Sequence, residues 1–306
     1  MLAIGSRGSA LALTQTTWVK EQMLRFFPQA RINIKIISTS ADRDTKTSIR
    51  SAWATGVFVK EIEDALLARE IDLAVHSMKD LPTRIPEALE IVAIPVREDP
   101  RDALIAPKQV LSLNDLPNGA IVGTGSIRRQ AQLLALRPDL QMRDIRGNVD
   151  TRLRKMEDGM YDAIILACAG LRRLGLENRI TLPLELDTMI PAPGQGALAL
   201  ETRRGDSRAE EMIQAFHHPP TAAAVLAERA FLRSMGGGCN SPIAVHAHLE
   251  ENSMKIVGLV AQPDGKRVLR QTWCQVDASP EATGESLANA LMSMGARDIL
   301  AGARPS

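Results

Sequence analysis

The 306-residue chain has no apolar run long enough for a membrane span, no surplus of either charge, and too few cysteines to staple a scaffold. A helical span needs roughly 18–20 apolar residues in succession, and no stretch supplies them. A membrane partner is therefore not expected. With 37 Lys and Arg against 36 Asp and Glu, there is no general attraction for nucleic acid either, so any anion site must come from local clustering. Cys168, Cys239 and Cys274 lack CxxC spacing and cannot all pair, which argues against a disulfide framework or a cysteine-rich zinc site. Cys168 and Cys274 lie in apolar or alternating strand patterns, so both are expected to be buried. The GxxxxGK[ST] loop and the GxGxxG fingerprint are also missing, leaving a nucleotide reading without its usual residues. The start, Met1 to Arg7, runs straight into a folded pattern with no signal-peptide layout, and a cytoplasmic protein is expected.

What is present is an ordinary globular composition, 45% hydrophobic and 24% charged, on a length suited to two or three domains. Short apolar runs precede helical patterns at 120–122 before 127–136 and at 163–167 before 171–176, which predicts βα units on a largely parallel sheet. The run Ile71 to Val75 follows an amphipathic stretch at 59–68 and ends in His76-Ser77-Met78-Lys79-Asp80. Asp80 is thus placed just beyond the C-terminal end of a buried strand, the edge where open α/β sheets bind ligands. Pro and Gly clusters at 95–107, 191–196 and 217–220 mark three boundaries. Beyond them a helix at 222–235, alternating segments at 255–260 and 268–276, and a final helix at 280–294 predict a small α+β domain. No internal repeat or low-complexity tract interrupts this pattern.

Three constellations could carry chemistry. Arginine recurs beside small-residue turns at helix starts: Ser6-Arg7-Gly8-Ser9, Gly123-Thr124-Gly125-Ser126-Ile127-Arg128-Arg129, Arg146-Gly147-Asn148-Val149-Asp150-Thr151-Arg152, and Ala169-Gly170-Leu171-Arg172-Arg173. Helix N-termini offer unpaired N–H donors, and arginine adds a fork for carboxylate or phosphate. A single such arginine could equally be solvated; four together suggest a ligand with many negative groups. Asp80, beside Lys79, could stabilise a cationic intermediate or move a proton, or could simply be solvated at a strand end. Gly236-Gly237-Gly238 leave the Cys239 sulfur sterically open, as a nucleophile or attachment point requires, although a buried structural thiol fits the same residues. His76 reads as a core or hinge histidine. His246 and His248 share one strand face but lack a third ligand, so no metal is expected.

Taken together, eight ordered stretches resemble the porphobilinogen deaminase family over nearly the whole chain. They are Ser6 to Leu13, Val75 to Pro82, Arg97 to Ala103, Gly123 to Gln130, Arg146 to Arg152, Tyr161 to Leu176, Gly194 to Ala197 and Gly236 to Pro242. The resemblance implies an α/β fold of two periplasmic-binding-protein-like domains flanking a cleft, plus a small C-terminal α+β domain carrying the cysteine. It places domain 1 at 1–95 with a return at 196–215, domain 2 at 100–190 and domain 3 at 220–306. It further implies a transferase that joins four porphobilinogen units head to tail into hydroxymethylbilane, with loss of ammonia, as a cytoplasmic monomer. Its dipyrromethane cofactor would be a thioether on Cys239. Asp80 would be catalytic, with Lys79, Thr124, Ser126, Arg128, Arg129 and Arg146 holding the cofactor. Arg7, Ser9, Phe58, Arg152, Arg173 and Gln195 would hold substrate. Each pyrrole brings two carboxylates, which gives the repeated arginine turns a reason.

Two departures mark this sequence. Ala52-Trp53-Ala54-Thr55-Gly56-Val57 replaces the family's Gly-Gly-Lys-Gly stretch and its lysine, and Gly125 stands where a serine is usual. A solute-binding or effector-sensing module would share the two-lobed fold without catalysis, but would have no need of a glycine-flanked thiol in an extra domain. A phosphate-handling transferase using the Thr124 to Arg129 turn would instead bind nucleotide.

Overall fold

A computed structural model of the chain describes residues 1–39, 59–238, 241–250, 253–277 and 279–302. The altered stretch at 52–57, Phe58 and Cys239 lie outside the described residues.

The first part of the chain forms β1 (Leu2–Ser6), α1 (Ala10–Phe26), β2 (Ile32–Ile36), α2 (Lys60–Leu67), β3 (Leu73–Ser77) and β4 (Leu89–Ala93). The next forms β5 (Asp102–Ile105), β6 (Ile121–Gly123), α3 (Ile127–Leu136), β7 (Gln141–Arg143), α4 (Val149–Glu157), β8 (Ala163–Ala167), α5 (Cys168–Arg173) and β9 (Leu182–Leu184). The chain then returns through β10 (Leu198–Arg203) and α6 (Ser207–Gln214). It ends in α7 (Pro219–Ser234), β11 (Ile243–Glu250), β12 (Ser253–Ala261), β13 (Val268–Val276), α8 (Pro280–Ser293) and α9 (Ala296–Gly302). The helix expected to be last is therefore followed by another short one. Local chemistry sets the helix starts: the Ser9 and Ser279 hydroxyls accept from the N–H groups of Ala12 and Ala282, and prolines occupy the first turns of α7 and α8.

Two five-stranded sheets share one wiring, β2-β1-β3-β10-β4 and β7-β6-β8-β5-β9. In each, the first three strands are parallel and the fourth runs antiparallel to both neighbours. The sequence pattern predicted largely parallel sheets, and here it is corrected. In each sheet the fourth strand is the one that enters from a crossing between the two lobes, so its direction is set by that crossing and not by a βα turn. Apolar side chains fill both faces of the buried strands: Ile4, Leu73, Leu200, Val19 and Met23 on one side of the first sheet, Leu104, Val122, Leu133 and Ile165 in the second. The third sheet, β11-β12-β13, is antiparallel and packs on α7 and α8 around Phe231, Ile256 and Leu287. Its edge strand β13 is half-buried on one face, where Leu269 packs against the core, and exposed on the other, which carries Arg270, Thr272, Cys274 and Val276; Cys274 is therefore exposed, contrary to expectation, whereas Cys168 is buried.

The three layers meet at one buried carboxylate. Glu228 of α7 accepts from Arg97 on the first crossing at 2.7 and 3.1 Å, from the Gly194 N–H on the second at 2.6 Å, and from the Ala247 N–H at 2.9 Å. Burial acts to raise its pKa, but Arg97 and the nearby His246 bring it down to about 2. Close backbone contact fixes the second crossing: Gly196 has φ +88°, and a Cβ there would stand 2.2 Å from the Glu98 carbonyl oxygen.

Candidate active site

The site begins where β3 ends. Leu73 to His76 are buried between the helical layers, and His76 Nε2 meets Glu201 at 2.9 Å, confirming it as a core residue. The strand gives way to a single 3-10 turn, Met78–Asp80, whose Met78 side chain is buried while Lys79 and Asp80 face a cavity of about 290 Å³ between the lobes. Neither a hydrogen bond nor an ion pair engages the Asp80 carboxylate among the described residues. Lys79 Nζ lies 3.4 Å from Gln195 Oε1. Burial pulls its ammonium down to about 8; Asp80 opposes that shift, and Arg129 and Arg128 reinforce it.

The opposite wall is built on α3. Ser126 caps the helix, accepting from the Arg129 N–H, and Arg128 and Arg129 follow in its first turn. Both arginines are buried and share one carboxylate, Asp102 at the start of β5. Arg128 Nη1 reaches Asp102 Oδ2 and the Ile190 carbonyl, each at 2.7 Å. Arg129 donates through Nε and Nη2 to Asp102 Oδ1 at 3.0 and 2.7 Å, and through Nη1 to the Ile165 carbonyl. Gln195 completes the set, donating to Asp102 Oδ1 at 2.9 Å. Burial alone would raise Asp102, yet the two guanidiniums hold it far below the usual carboxylate range. Two cations on one anion leave this wall net positive.

Arg7 and Ser9 line the cavity from the start of α1, Arg152 from α4, and Arg173 from α5. Arg152 Nε donates to the Gly147 carbonyl and Arg173 Nη2 to the Gly196 carbonyl, both at 2.7 Å. Burial lowers each of them to about 10, with Arg129 adding to the effect at Arg152 and Glu98 opposing it at Arg173. The fourth arginine turn differs from expectation: Arg172 and Arg173 occupy the last turn of α5, not its first. Thr124 and Arg146 stand outside the cavity lining; Thr124 is buried and accepts from the Ser126 N–H, and Arg146 Nε meets Asp144 at 2.9 Å. Gly238, Ser241 and Ile243, which flank position 239 in the chain, also line the cavity. Sequence reasoning gave no role to Asp102, although its Arg97 to Ala103 stretch was already conspicuous.

This set of guanidiniums, one ammonium and several serine hydroxyls suits a ligand bearing several carboxylates. Residues 2–211 match the family model described as porphobilinogen deaminase, dipyromethane cofactor binding domain, and residues 222–293 match porphobilinogen deaminase, C-terminal domain. The chain belongs to the porphobilinogen deaminase family. Porphobilinogen deaminase from Thermus thermophilus is 49% identical over 302 residues, covering 98% of each chain, and that from Syntrophotalea carbinolica is 49% identical over 300 residues, covering 98% of this chain and 95% of the relative. Like its family, the chain is a transferase, and its larger part is the dipyrromethane-binding domain. Among solved structures, the periplasmic VFT2 domain of Bordetella pertussis BvgS is similar with a TM-score of 0.41 and 15% identity, over 70% of this chain and 84% of that one. Among the described residues, no helix is long and apolar enough to cross a membrane and no group of His, Cys, Asp and Glu could hold a metal ion.

Proposed function

We propose that the chain condenses four porphobilinogen units head to tail into hydroxymethylbilane, releasing one ammonia per unit, on a dipyrromethane held as a thioether to Cys239. The carrying observation is that Asp80, the arginines and the chain neighbours of Cys239 line one cavity. The domain division is 1–95 with 196–215, 100–190 and 220–306, and the enzyme works as a cytoplasmic monomer.

Arg128, Arg129, Lys79 and Ser126 fit the acetate and propionate groups of the dipyrromethane, which supplies the pyrrole carbon that the first substrate unit joins. Thr124 supports that wall through Ser126, and Arg146 lies at its edge beside Asp144. Arg7, Ser9, Phe58, Arg152, Arg173 and Gln195 hold the incoming substrate. In each addition the substrate's aminomethyl carbon–nitrogen bond breaks and a carbon–carbon bond forms. The hydrogen displaced from the attacked pyrrole carbon leaves with the nitrogen as ammonia, and after the fourth addition one water cleaves the bond to the dipyrromethane, its hydroxyl ending on the released product and its proton on the primer's pyrrole carbon. Asp80 stabilises the positive charge that develops on the substrate's pyrrole as nitrogen departs; among the described residues Lys79 and Arg152 act on its carboxylate through space, but no hydrogen bond or ion pair engages it, which leaves its lone pairs open.

Intact-protein mass spectrometry tests the attachment. The expected result is a mass excess of two linked pyrrole units, lost in Cys239→Ser; an unmodified protein with full turnover would overturn it and favour a binding module or another chemistry.

A further inference from the structure

Helix α7 sets two adjacent charged residues against different parts of the molecule. Glu228 binds both crossings between the lobes, and Arg229 reaches the segment directly after Asp80. Its Nη2 donates to the Pro82 carbonyl at 2.6 Å and its Nη1 to the Leu81 carbonyl at 3.1 Å, with Met78 Sδ 3.7 Å from Nη1. Arg229 is buried. A guanidinium is costly to bury, and here its donors converge on two consecutive carbonyls of the turn that carries Asp80.

The turn is packed through Met78 and Leu81, which are buried with Ala197, Ala222 and Val225, but its other backbone hydrogen bonds are few. Upstream, the Met78 N–H donates to the Ala197 carbonyl at 3.0 Å; within it, the Leu81 N–H donates to the Met78 carbonyl at 3.2 Å. Pro82 has no N–H to join a ladder, so its carbonyl is the group by which a side chain can hold the chain there. Among the described residues the Asp80 side chain has no hydrogen bond to fix it, and its place follows from the backbone on either side. Downstream, that backbone is held by the helix that leads to Cys239.

We propose that Arg229 is a positioning residue for Asp80, pinning the Leu81–Pro82 backbone so that the part of the chain bearing the cysteine also fixes the reach of the carboxylate. This rests on the catalytic role given to Asp80 above. Met78 and the Ala197 carbonyl anchor one end of the turn from within the first sheet, and Arg229 anchors the other from the C-terminal layer. A shift of about 1 Å at a reacting group costs on the order of 100-fold in rate.

The test is Arg229→Met, which keeps the length and apolar stem of the side chain and removes its donors. Cofactor loading by intact mass and KM should stay near native while kcat falls on the order of 100-fold. Amide hydrogen exchange in the unloaded protein should speed up at Leu81 and remain unchanged at Val75 within β3. Native kcat would overturn the proposal, as would exchange rising equally at Leu81 and Val75, which marks a loss of stability alone. If Arg229→Met does not fold, Arg229→Lys, with one ammonium for two carbonyls, should show the same split between kcat and KM in smaller measure; a native kcat there also overturns it. Asp80→Asn separates this from the underlying reading, because full turnover in that variant removes the role of Asp80 itself.

Discussion

The two walls of the cavity are built from sheets with the same strand order, yet they treat charge in opposite ways. On the second-sheet wall, Arg128 and Arg129 are already bound to Asp102 and to backbone carbonyls, so their orientation is set before any ligand arrives. On the first-sheet wall, Asp80 is uncommitted and Lys79 is weakened by burial. Binding groups gain from being fixed in advance, since their ordering cost is met on folding. A group that must answer charge developing during a reaction needs its lone pairs open. Matching topology thus supports two different electrical duties.

The sharpest way to break this contrast is to remove the fixed anion. Asp102→Ala leaves two buried guanidiniums uncompensated and should cost about 3–5 kcal/mol in stability, measured by urea denaturation. On the other wall, Asp80→Asn should leave stability nearly unchanged while turnover falls roughly 100- to 1000-fold, read from single-turnover ammonia release.

Lys79 gives a gentler test. Its folded value of about 8 lies below the ordinary 10.5, so the positive charge it offers to carboxylates is present below pH 8 and fades as pH rises through it. KM should rise about tenfold across that window, and Lys79→Arg, which stays charged, should abolish the inflection. Without ligand, the unfolded chain binds more protons than the folded one between pH 8 and 10.5, so stability should increase with pH there. Asp80→Asn removes the negative neighbour and should move the inflection below 8. The smallest effect belongs to the half-exposed pair Arg146–Asp144 at 2.9 Å: Asp144→Ala should shift stability by under ~1 kcal/mol in the same urea assay.

Much of this site was legible in the sequence because its signals are local. An apolar run ending in Lys79-Asp80, a serine before a helix and arginines next to small-residue turns each act within a few residues. Partners distant in the chain left no such mark. Nothing near Asp102 signals that it would meet side chains 26 and 27 positions away, or that Arg229 would reach back 148 positions to Leu81. The antiparallel fourth strands were missed because strand direction depends on where the chain comes from, and apolar content does not record that. Cys274 was misjudged because alternation along an edge strand does not say which face meets the core, and Cys274 lies with Arg270, Thr272 and Val276 on the exposed one.

The strand order also governs how the chain can be made. When residues 1–93 have left the ribosome, β3 and β4 are present, but β10, which lies between them, is not. The first sheet then waits with two strand edges unpaired while the whole second lobe is synthesised, a state in which exposed edges invite pairing with other chains. Slow translation through residues 94–197 would lengthen that exposure, so the yield of native protein should depend on the speed of synthesis across the middle of the message as well as on the final stability of the fold.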